Sequence, residues 1–223
     1  MRPTTSEAAR RARSGFADAG PQVRLHTAIR QRCAPLDAVE ALVPASGHIL
    51  DLGCGHGLLS LHLVLASDRR TVHAVDISSD KVRHGRRAAR RLGLADRVAF
   101  EVVPAGWEPP AGAYDAVVVG DVLYLLDPPA LGTTVRAACR SLRDRGVLVL
   151  KEVATRPRWK HRFGMAQELV AVRLLRITAG DALNPRPLDD AAAVLDALGW
   201  TMRSIPLDRG YPYAHAALVA TRP

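Results

Sequence analysis

The stretch His48-Ile-Leu-Asp-Leu-Gly-Cys-Gly-His-Gly-Leu-Leu-Ser60 decides the fold of this chain. A short apolar run reaches Asp51, passes three alternating glycines at 53, 55 and 57, and continues into a second apolar segment. This order predicts a strand, a tight turn and a helix. Because glycine has no side chain, the turn can adopt positive φ and approach a ligand closely, next to the unpaired first amides of the helix. The stretch therefore predicts a small-molecule site.

The spacing of the glycines narrows the choice of ligand. A dinucleotide fingerprint needs a third glycine where Leu58 stands, and a P-loop needs a Gly-Lys-Ser/Thr sequence that this stretch lacks. The next predicted strand covers residues 71–75 and leads into Asp76, about 20 residues after the glycines, as a βαβ unit requires. A glycine turn followed by an acidic strand end is a fairly specific pair of features.

The motif Leu50-Asp-Leu-Gly-Cys-Gly-His-Gly57, taken with Asp76, resembles the class I S-adenosylmethionine-dependent methyltransferases, of the bacterial small-molecule type. The resemblance implies that the turn carries the methionine part of S-adenosylmethionine and that Asp76 holds the ribose hydroxyls. It places further cofactor contacts around both motifs and at the ends of the third and fourth strands. The implied cofactor-binding residues are Asp51, Gly53, Cys54, Gly55, Gly57, Asp76, Ile77, Ala105, Gly106, Trp107 and Asp121.

The adenine end of the predicted site departs from the family pattern. In that family an acidic residue commonly follows the third strand and accepts a hydrogen bond from the adenine amino group. Here the predicted strand 97–103 is followed by Pro104. We expect the backbone of residues 105–107 to hold adenine instead, with Trp107 or Ile77 as an apolar wall.

The resemblance also implies the fold class. We expect an α/β, Rossmann-like fold with a seven-stranded mixed sheet, helices on both faces and an antiparallel last strand. At 223 residues the chain suits one such domain with appendages. Residues 1–45 are predicted to form a helical extension or lid, residues 46–223 the methyltransferase core, and residues 154–188 a helical cap inserted after the fifth strand.

Composition excludes some classes of protein. The formal net charge is +9, but aromatic residues make up 4% of the chain, which argues against a base-stacking surface for nucleic acid. The 3 cysteines lack metal-ligand spacing, so neither a disulfide framework nor a metal site is indicated. No apolar run approaches the ~18 residues of a membrane span. We therefore expect a soluble cytoplasmic protein.

Candidate catalytic and substrate-binding residues follow from position. The candidates for a base or an orienting hydroxyl are His56, Tyr124, Glu152 and His161, and those for acceptor contacts are His26, Arg30, Lys151, Arg158 and Trp159. An alternative interpretation gives each a structural role: His56 caps the turn, Lys151 and Glu152 form a surface ion pair, and the arginines are solvated. Asp127-Pro-Pro-Ala130 is similar to the signature of adenine-N6 methyltransferases but lacks its aromatic residue, so we predict an ordinary helix start there.

The predicted activity is in-line transfer of a methyl group to an O, N or C nucleophile of a small-molecule or lipid-like acceptor. We expect an anionic or polar acceptor, held by Lys151 and the basic cluster at residues 156–162. The basic amphipathic stretch 156–177 could also touch a membrane surface. Two alternatives remain: an RNA methyltransferase, which only the charge supports, and a relative that binds the cofactor without methyl transfer. The chain is predicted to be a monomer or a homodimer.

Overall fold

A seven-stranded sheet forms the centre of the computed structural model, which describes residues 6–153 and 184–222. Its strands are β1 (Gly47–Leu52), β2 (Arg70–Asp76), β3 (Val98–Val102), β4 (Tyr114–Gly120), β5 (Leu142–Val153), β6 (Thr201–Pro206) and β7 (His215–Thr221). The strand order is β3-β2-β1-β4-β5-β7-β6, and β7 runs antiparallel to both of its neighbours. This arrangement confirms the predicted fold class.

Helices cover both faces of the sheet. They are α1 (Glu7–Ser14), α2 (Pro21–Cys33), α3 (Leu36–Glu40), α4 (Leu58–Ala66), α5 (Ser79–Arg91), α6 (Pro128–Ser141) and α7 (Pro187–Ala197), with a 3-10 helix at Leu123–Leu125. A side chain caps the starts of α5 and α6: the Ser78 hydroxyl accepts from the amide of Lys81, and Asp127 accepts from that of Ala130 at 2.8 Å. The predicted helix start at Asp127 is therefore confirmed. None of the helices described is long and apolar enough to cross a membrane.

The central strands are buried on both faces, as their nearly continuous apolar sequences require. On β1, Ile49 belongs to the apolar cluster under α3, α4 and α5, whereas its neighbour Leu50 belongs to the cluster under α6 and α7. Both side chains are fully buried. Two apolar layers thus fix the sheet and leave the carboxyl ends of the parallel strands as the edge where a ligand can bind.

Three boundaries differ from the sequence-based expectations. Helix α1 lies in a stretch whose composition does not reveal it, and it packs on α4 with Ala9, Ala12 and the following Phe16 buried. Strand β5 ends at Val153 and so includes Lys151 and Glu152, for which the alternative interpretation was a surface ion pair. Of the predicted cap, residues 154–183 lie outside the described residues, and Pro187 already begins α7.

The burial of Phe16 makes the α1 region part of the core, and this can be tested. Phe16, 2% exposed, joins the apolar cluster of β1 and α4. We expect Phe16→Ala to lower the free energy of unfolding by about 3–5 kcal/mol, because it removes buried apolar surface and leaves a cavity. Urea unfolding measures this. Arg13→Ala, at an exposed position of α1, should change stability by about 0.5 kcal/mol or less. Equal effects of the two variants would contradict the packing of α1.

Candidate active site

The glycine turn between β1 and α4 is joined to the end of β2 by its own backbone. The amides of Gly53 and Cys54 donate to the carbonyl of Val75 at 2.8 and 2.9 Å. The amide of Gly55 donates to the carboxylate of Asp76 at 2.8 Å. The two motifs that the sequence singled out are therefore in direct contact.

One side of this turn is closed by protein and the other is open. A Cβ atom at Gly57 (φ +83°) would lie 2.2 Å from the ring of Phe100, so only glycine fits there. A Cβ atom at Gly55 (φ +58°) would meet no atom of the described residues within 4 Å. The turn thus presents an open concave face beside Asp76, with Ile77 next to it 68% exposed. Such a cradle fits a ligand that a side chain at position 55 would displace.

Two acidic residues support this cradle in different ways. Asp76 is oriented by two backbone amides, those of Gly55 and Ser78, each at 2.8 Å. Asp51 is buried on β1 and accepts from the hydroxyl of Ser60 on α4 at 2.5 Å. Burial raises the pKa of Asp51 to about 6. Asp76 therefore stands at the open edge, whereas Asp51 ties the strand to the helix beneath the turn.

The two alternatives for an apolar wall beside adenine, Trp107 and Ile77, lie at different places relative to β2. The amide of Trp107 donates to the carbonyl of Pro104 at 3.1 Å, across a turn in which Gly106 has φ +76°. The indole lies edge-on to the imidazole of His73, with ring centroids 5.9 Å apart. Trp107 therefore packs beside the middle of β2, whereas Ile77 lies beyond the end of that strand.

A buried ion cluster lies where β4 and β5 end. The Lys151 ammonium is 2.6 and 2.7 Å from the two carboxylate oxygens of Asp121, and the Arg30 guanidinium donates to one of them at 2.7 Å. Burial would raise the pKa of Asp121, but the two cations hold it well below its usual range. Asp121 also has φ +58°, a backbone conformation that non-glycine residues rarely adopt. We call Arg30, Asp121 and Lys151 the ion cluster.

Glu152, the neighbour of Lys151, faces the other side of the sheet because side chains alternate along a strand. Its carboxylate accepts from the amides of Val122 and Leu123 at 2.9 and 2.6 Å. Burial, and then the charge of Asp121, raise the pKa of Glu152 to about 8. Lys151 and Glu152 are 2% and 1% exposed, so the alternative of a surface ion pair between them is wrong. Glu152 holds the start of the 3-10 turn that contains Tyr124.

Helix α2 crosses the ligand edge and contacts it at three points. His26 lies over the glycine turn, with its ring centroid 4.8 Å from that of His56. Arg30, one turn later, reaches Asp121. At the end of the helix, the carbonyl of Cys33 accepts from Nε2 of His215 on β7 at 2.7 Å. Of the segment predicted as a lid, α2 is the helix that covers the site.

The histidines at this contact are neutral at physiological pH. Burial lowers the pKa of His26 and of His56 to about 4, and the nearby charge of Lys81 adds to the effect on His56. The Nδ1 atoms of both rings are buried without a hydrogen-bond partner among the residues the structure describes. His56 also neighbours His84 of α5, at 5.9 Å between ring centroids. The contact between α2 and the turn is therefore uncharged.

Sequence reasoning missed His215. Its Nε2 proton is directed to Cys33, and burial together with the charge of Lys151 lowers its pKa to about 3. The sequence contains a feature that could have identified it: His215 is a polar residue directly before five apolar residues of β7. The antiparallel direction of β7 brings that first residue to the ligand edge.

The structure thus brings together most of the predicted residues around two neighbouring centres. The glycine turn, Asp76 and His26 form the first, and the ion cluster with Glu152 and Tyr124 forms the second. Trp107 lies apart from both. The predicted residues Arg158, Trp159 and His161 lie outside the described residues.

The lowered pKa values predict how stability changes with pH. An unfolded histidine gains a proton near pH 6.5, whereas folded His26 does so only near pH 4. The unfolded state thus binds more protons in this window, and His26 contributes less stability as pH falls through it. We expect His26→Leu to become progressively more stable relative to the wild type as pH falls from 6.5 to 4, measured by urea unfolding.

The difference between variant and wild type is the quantity to measure, because the raised pKa values of Asp51 and Glu152 act in the opposite sense over the same range. Leu25→Ala, at a position of α2 that is 59% exposed, serves as the control and should leave the pH dependence unchanged. A constant difference between His26→Leu and the wild type across the window would show that His26 is not held neutral.

The strand order, the glycine turn and the acidic end of β2 define a Rossmann-like protein with a cofactor site at its sheet edge. A family model described as "Methyltransferase domain" matches residues 25–205. The chain belongs to this methyltransferase family, so the predicted family is confirmed.

Two curated relatives and one solved structure illustrate the similarity. Trans-aconitate 2-methyltransferase of Rhodopseudomonas palustris is 28% identical over 226 residues, covering 85% of each chain. Ubiquinone biosynthesis O-methyltransferase of Xanthomonas axonopodis pv. citri is 31% identical over 140 residues, covering 62% of this chain and 55% of the relative. Geranyl diphosphate methyltransferase in complex with S-adenosylmethionine shares the fold, with a TM-score of 0.64, 17% identity and 94% coverage of both chains. The chain spans about half the length of the first curated relatives that it matches.

Proposed function

We propose that this chain is a methyltransferase that uses S-adenosylmethionine to methylate a small-molecule acceptor. The observation that carries the proposal is the open face of the turn at Gly55, which is hydrogen-bonded to the carboxylate of Asp76. Membership of the methyltransferase family supports the predicted cofactor and reaction. The names of the two curated relatives, which refer to ubiquinone biosynthesis and trans-aconitate, support a small-molecule acceptor.

The residues present fit this cofactor. When bound, it supplies a methyl group on a positively charged sulfur, which a nucleophile can displace. Asp76 is a carboxylate held in place by two amides, and its oxygens can accept further hydrogen bonds from a ribose diol. The open side of Gly55 accommodates the bulk of the ligand, and exposed Ile77 offers an apolar surface for adenine.

The chain's own residues then have to align the acceptor and exclude water. Helix α2 covers the edge through His26 and Arg30. His56 has a buried Nδ1 and a pKa lowered to about 4, which supports a role in the contact between α2 and the glycine turn over that of a base. Glu152 is buried and occupied by two amides, which supports a structural role over that of a base. Tyr124 remains a candidate for orienting the acceptor.

The cofactor assignment predicts the effect of two substitutions. Asp76→Ala removes the ribose acceptor, and Gly55→Val fills the open side of the turn. We expect each substitution to weaken S-adenosylhomocysteine binding at least about 100-fold in calorimetry. Asp76→Ala removes a hydrogen bond to a charged group, and Gly55→Val occupies the space of the ligand. Asp80→Ala, at a position on α5 that is 60% exposed, is the control. Binding that is undiminished in both variants would contradict the cofactor site.

Thermal unfolding without ligand separates binding from folding. Gly55→Val places a branched residue at φ +58°, which costs about 1–3 kcal/mol, but its Cβ meets no neighbour. Asp76→Ala loses two backbone contacts. Both variants should therefore still unfold cooperatively.

Tritiated methyl transfer to a small-molecule extract or to RNA tests the acceptor class. We expect label in the small-molecule fraction. Label in RNA, with an affinity that falls steeply with salt, would favour the RNA alternative instead. Cofactor binding without any transfer would favour a non-methylating relative. A cytoplasmic location, membrane contact and the monomeric or dimeric state remain predictions.

A further inference from the structure

The ion cluster contains a cation that its acidic partner does not fully use. Arg30 has five N–H donors in a planar fork, and one of them is directed to Asp121 at 2.7 Å. Within residues 6–153 and 184–222, this is the one hydrogen bond that the guanidinium makes. Its side chain is 39% exposed, in contrast to 12% for Asp121 and 3% for Lys151. Several donors of Arg30 are therefore available to a ligand.

The charges around Arg30 leave a positive excess. Lys151 holds both carboxylate oxygens of Asp121, so these two charges balance each other. Arg30 adds a second cation to this single anion. Glu152 does not offset it at neutral pH, because burial raises the pKa of its carboxyl to about 8. His26, one turn before Arg30 on α2, is neutral.

Lys151 itself is poorly placed to bind an acceptor. Its ammonium is 2% exposed and lies within 2.7 Å of both oxygens of Asp121. Taking it from that carboxylate would break a buried ion pair, which costs several kcal/mol. Arg30, rather than Lys151, is therefore placed to contact the acceptor, and Lys151 holds Asp121 in place.

We infer that the acceptor carries a carboxylate group and that the guanidinium of Arg30 binds it. This inference rests on the proposed function and names its acceptor class. A planar guanidinium matches a carboxylate through paired hydrogen bonds, which an ammonium cannot reproduce. Arg30 stands between the glycine turn and the end of β4, where α2 covers the edge. Asp121 orients the guanidinium from one side, and the acceptor binds from the other.

Calorimetry with the full chain, saturated with S-adenosylhomocysteine, tests the inference. The probes are benzoate, succinate and tricarballylate, each compared with its uncharged amide. We expect at least one of the acids to bind, and its amide to bind at least about tenfold more weakly. Arg30→Gln should weaken binding of that acid about 10–100-fold, the loss typical of a charged hydrogen bond. Arg30→Lys, which keeps the charge without the fork, should fall between the two.

Arg32→Gln is the matched control, because Arg32 is exposed on the same helix. It should bind the acid as the wild type does. Thermal unfolding of each variant with S-adenosylhomocysteine shows whether the cofactor site remains intact. The S-adenosylhomocysteine affinity of Arg30→Gln is measured as well, because the guanidinium contacts Asp121, one of the predicted cofactor-binding residues. Acid binding is then compared at saturating S-adenosylhomocysteine, so that a weaker cofactor site does not lower the apparent affinity for the acid.

The outcomes separate this inference from the proposed function. If the wild type does not bind S-adenosylhomocysteine, the proposed function fails. If it binds the cofactor product but prefers no acid over its amide, the inference fails and the methyltransferase assignment stands. Equal affinity of Arg30→Gln and the wild type for the acid would also overturn it.

Discussion

The pairing of Asp121 with Lys151 and Arg30 is the interaction on which the ligand edge depends. It joins the end of β4 to β5 and to α2, three parts of the chain that are far apart in sequence. Burying these charges is costly, and removing one partner of a buried pair typically destabilises a protein by about 3–5 kcal/mol. The same contacts hold Asp121 at positive φ, a strain of about 1–3 kcal/mol that only a well-determined environment maintains. Strain of this kind at a strand end is typical of functional sites.

The end of β5 organises the edge on both faces of the sheet. Lys151 fixes Asp121 beneath α2, while the next residue, Glu152, fixes the two amides that open the 3-10 turn. Adjacent residues on a strand point to opposite faces, so Lys151 and Glu152 secure two consecutive parts of the chain after β4, Asp121 on one face and the amides of Val122 and Leu123 on the other. The Lys151-Glu152 pair at the end of this apolar strand therefore has a structural role that a surface contact would not have. The burial of both side chains shows that they serve the architecture of the site.

The sequence predicted the elements whose structure depends on residues that are close to one another along the chain. The seven-stranded mixed sheet with an antiparallel last strand is present as predicted, and the glycine turn contacts Asp76, the other predicted feature of the cofactor site. Helix α1 lies in the segment predicted as helical, but its bounds and its burial were not predicted, because its buried face consists of alanines within an arginine-rich segment. A small buried residue gives little hydrophobic signal, and only packing against α4 reveals its role.

The sequence could not predict the contacts within the site, because these contacts join residues that are far apart along the chain. Arg30 and Asp121 are 91 residues apart, and Cys33 and His215 are 182 residues apart. The sequence could place Asp121 and Lys151 at one edge, because parallel strands end there together. It could not show that they bond to each other, since that depends on how α2 crosses the sheet.

The inner face of α2 differs in charge along its length, and this matches the charges of the two proposed ligands. At the glycine turn it presents His26, which lies against His56, and burial keeps both rings neutral. A protonated imidazole there would repel the positively charged sulfur of the cofactor. At the other end, one turn away, Arg30 brings a permanent cation to the edge beside Asp121. The neutral end of α2 would lie over the cationic cofactor, and Arg30 would lie over the acceptor. The positive charge of Arg30 would then favour an acceptor with a negative charge.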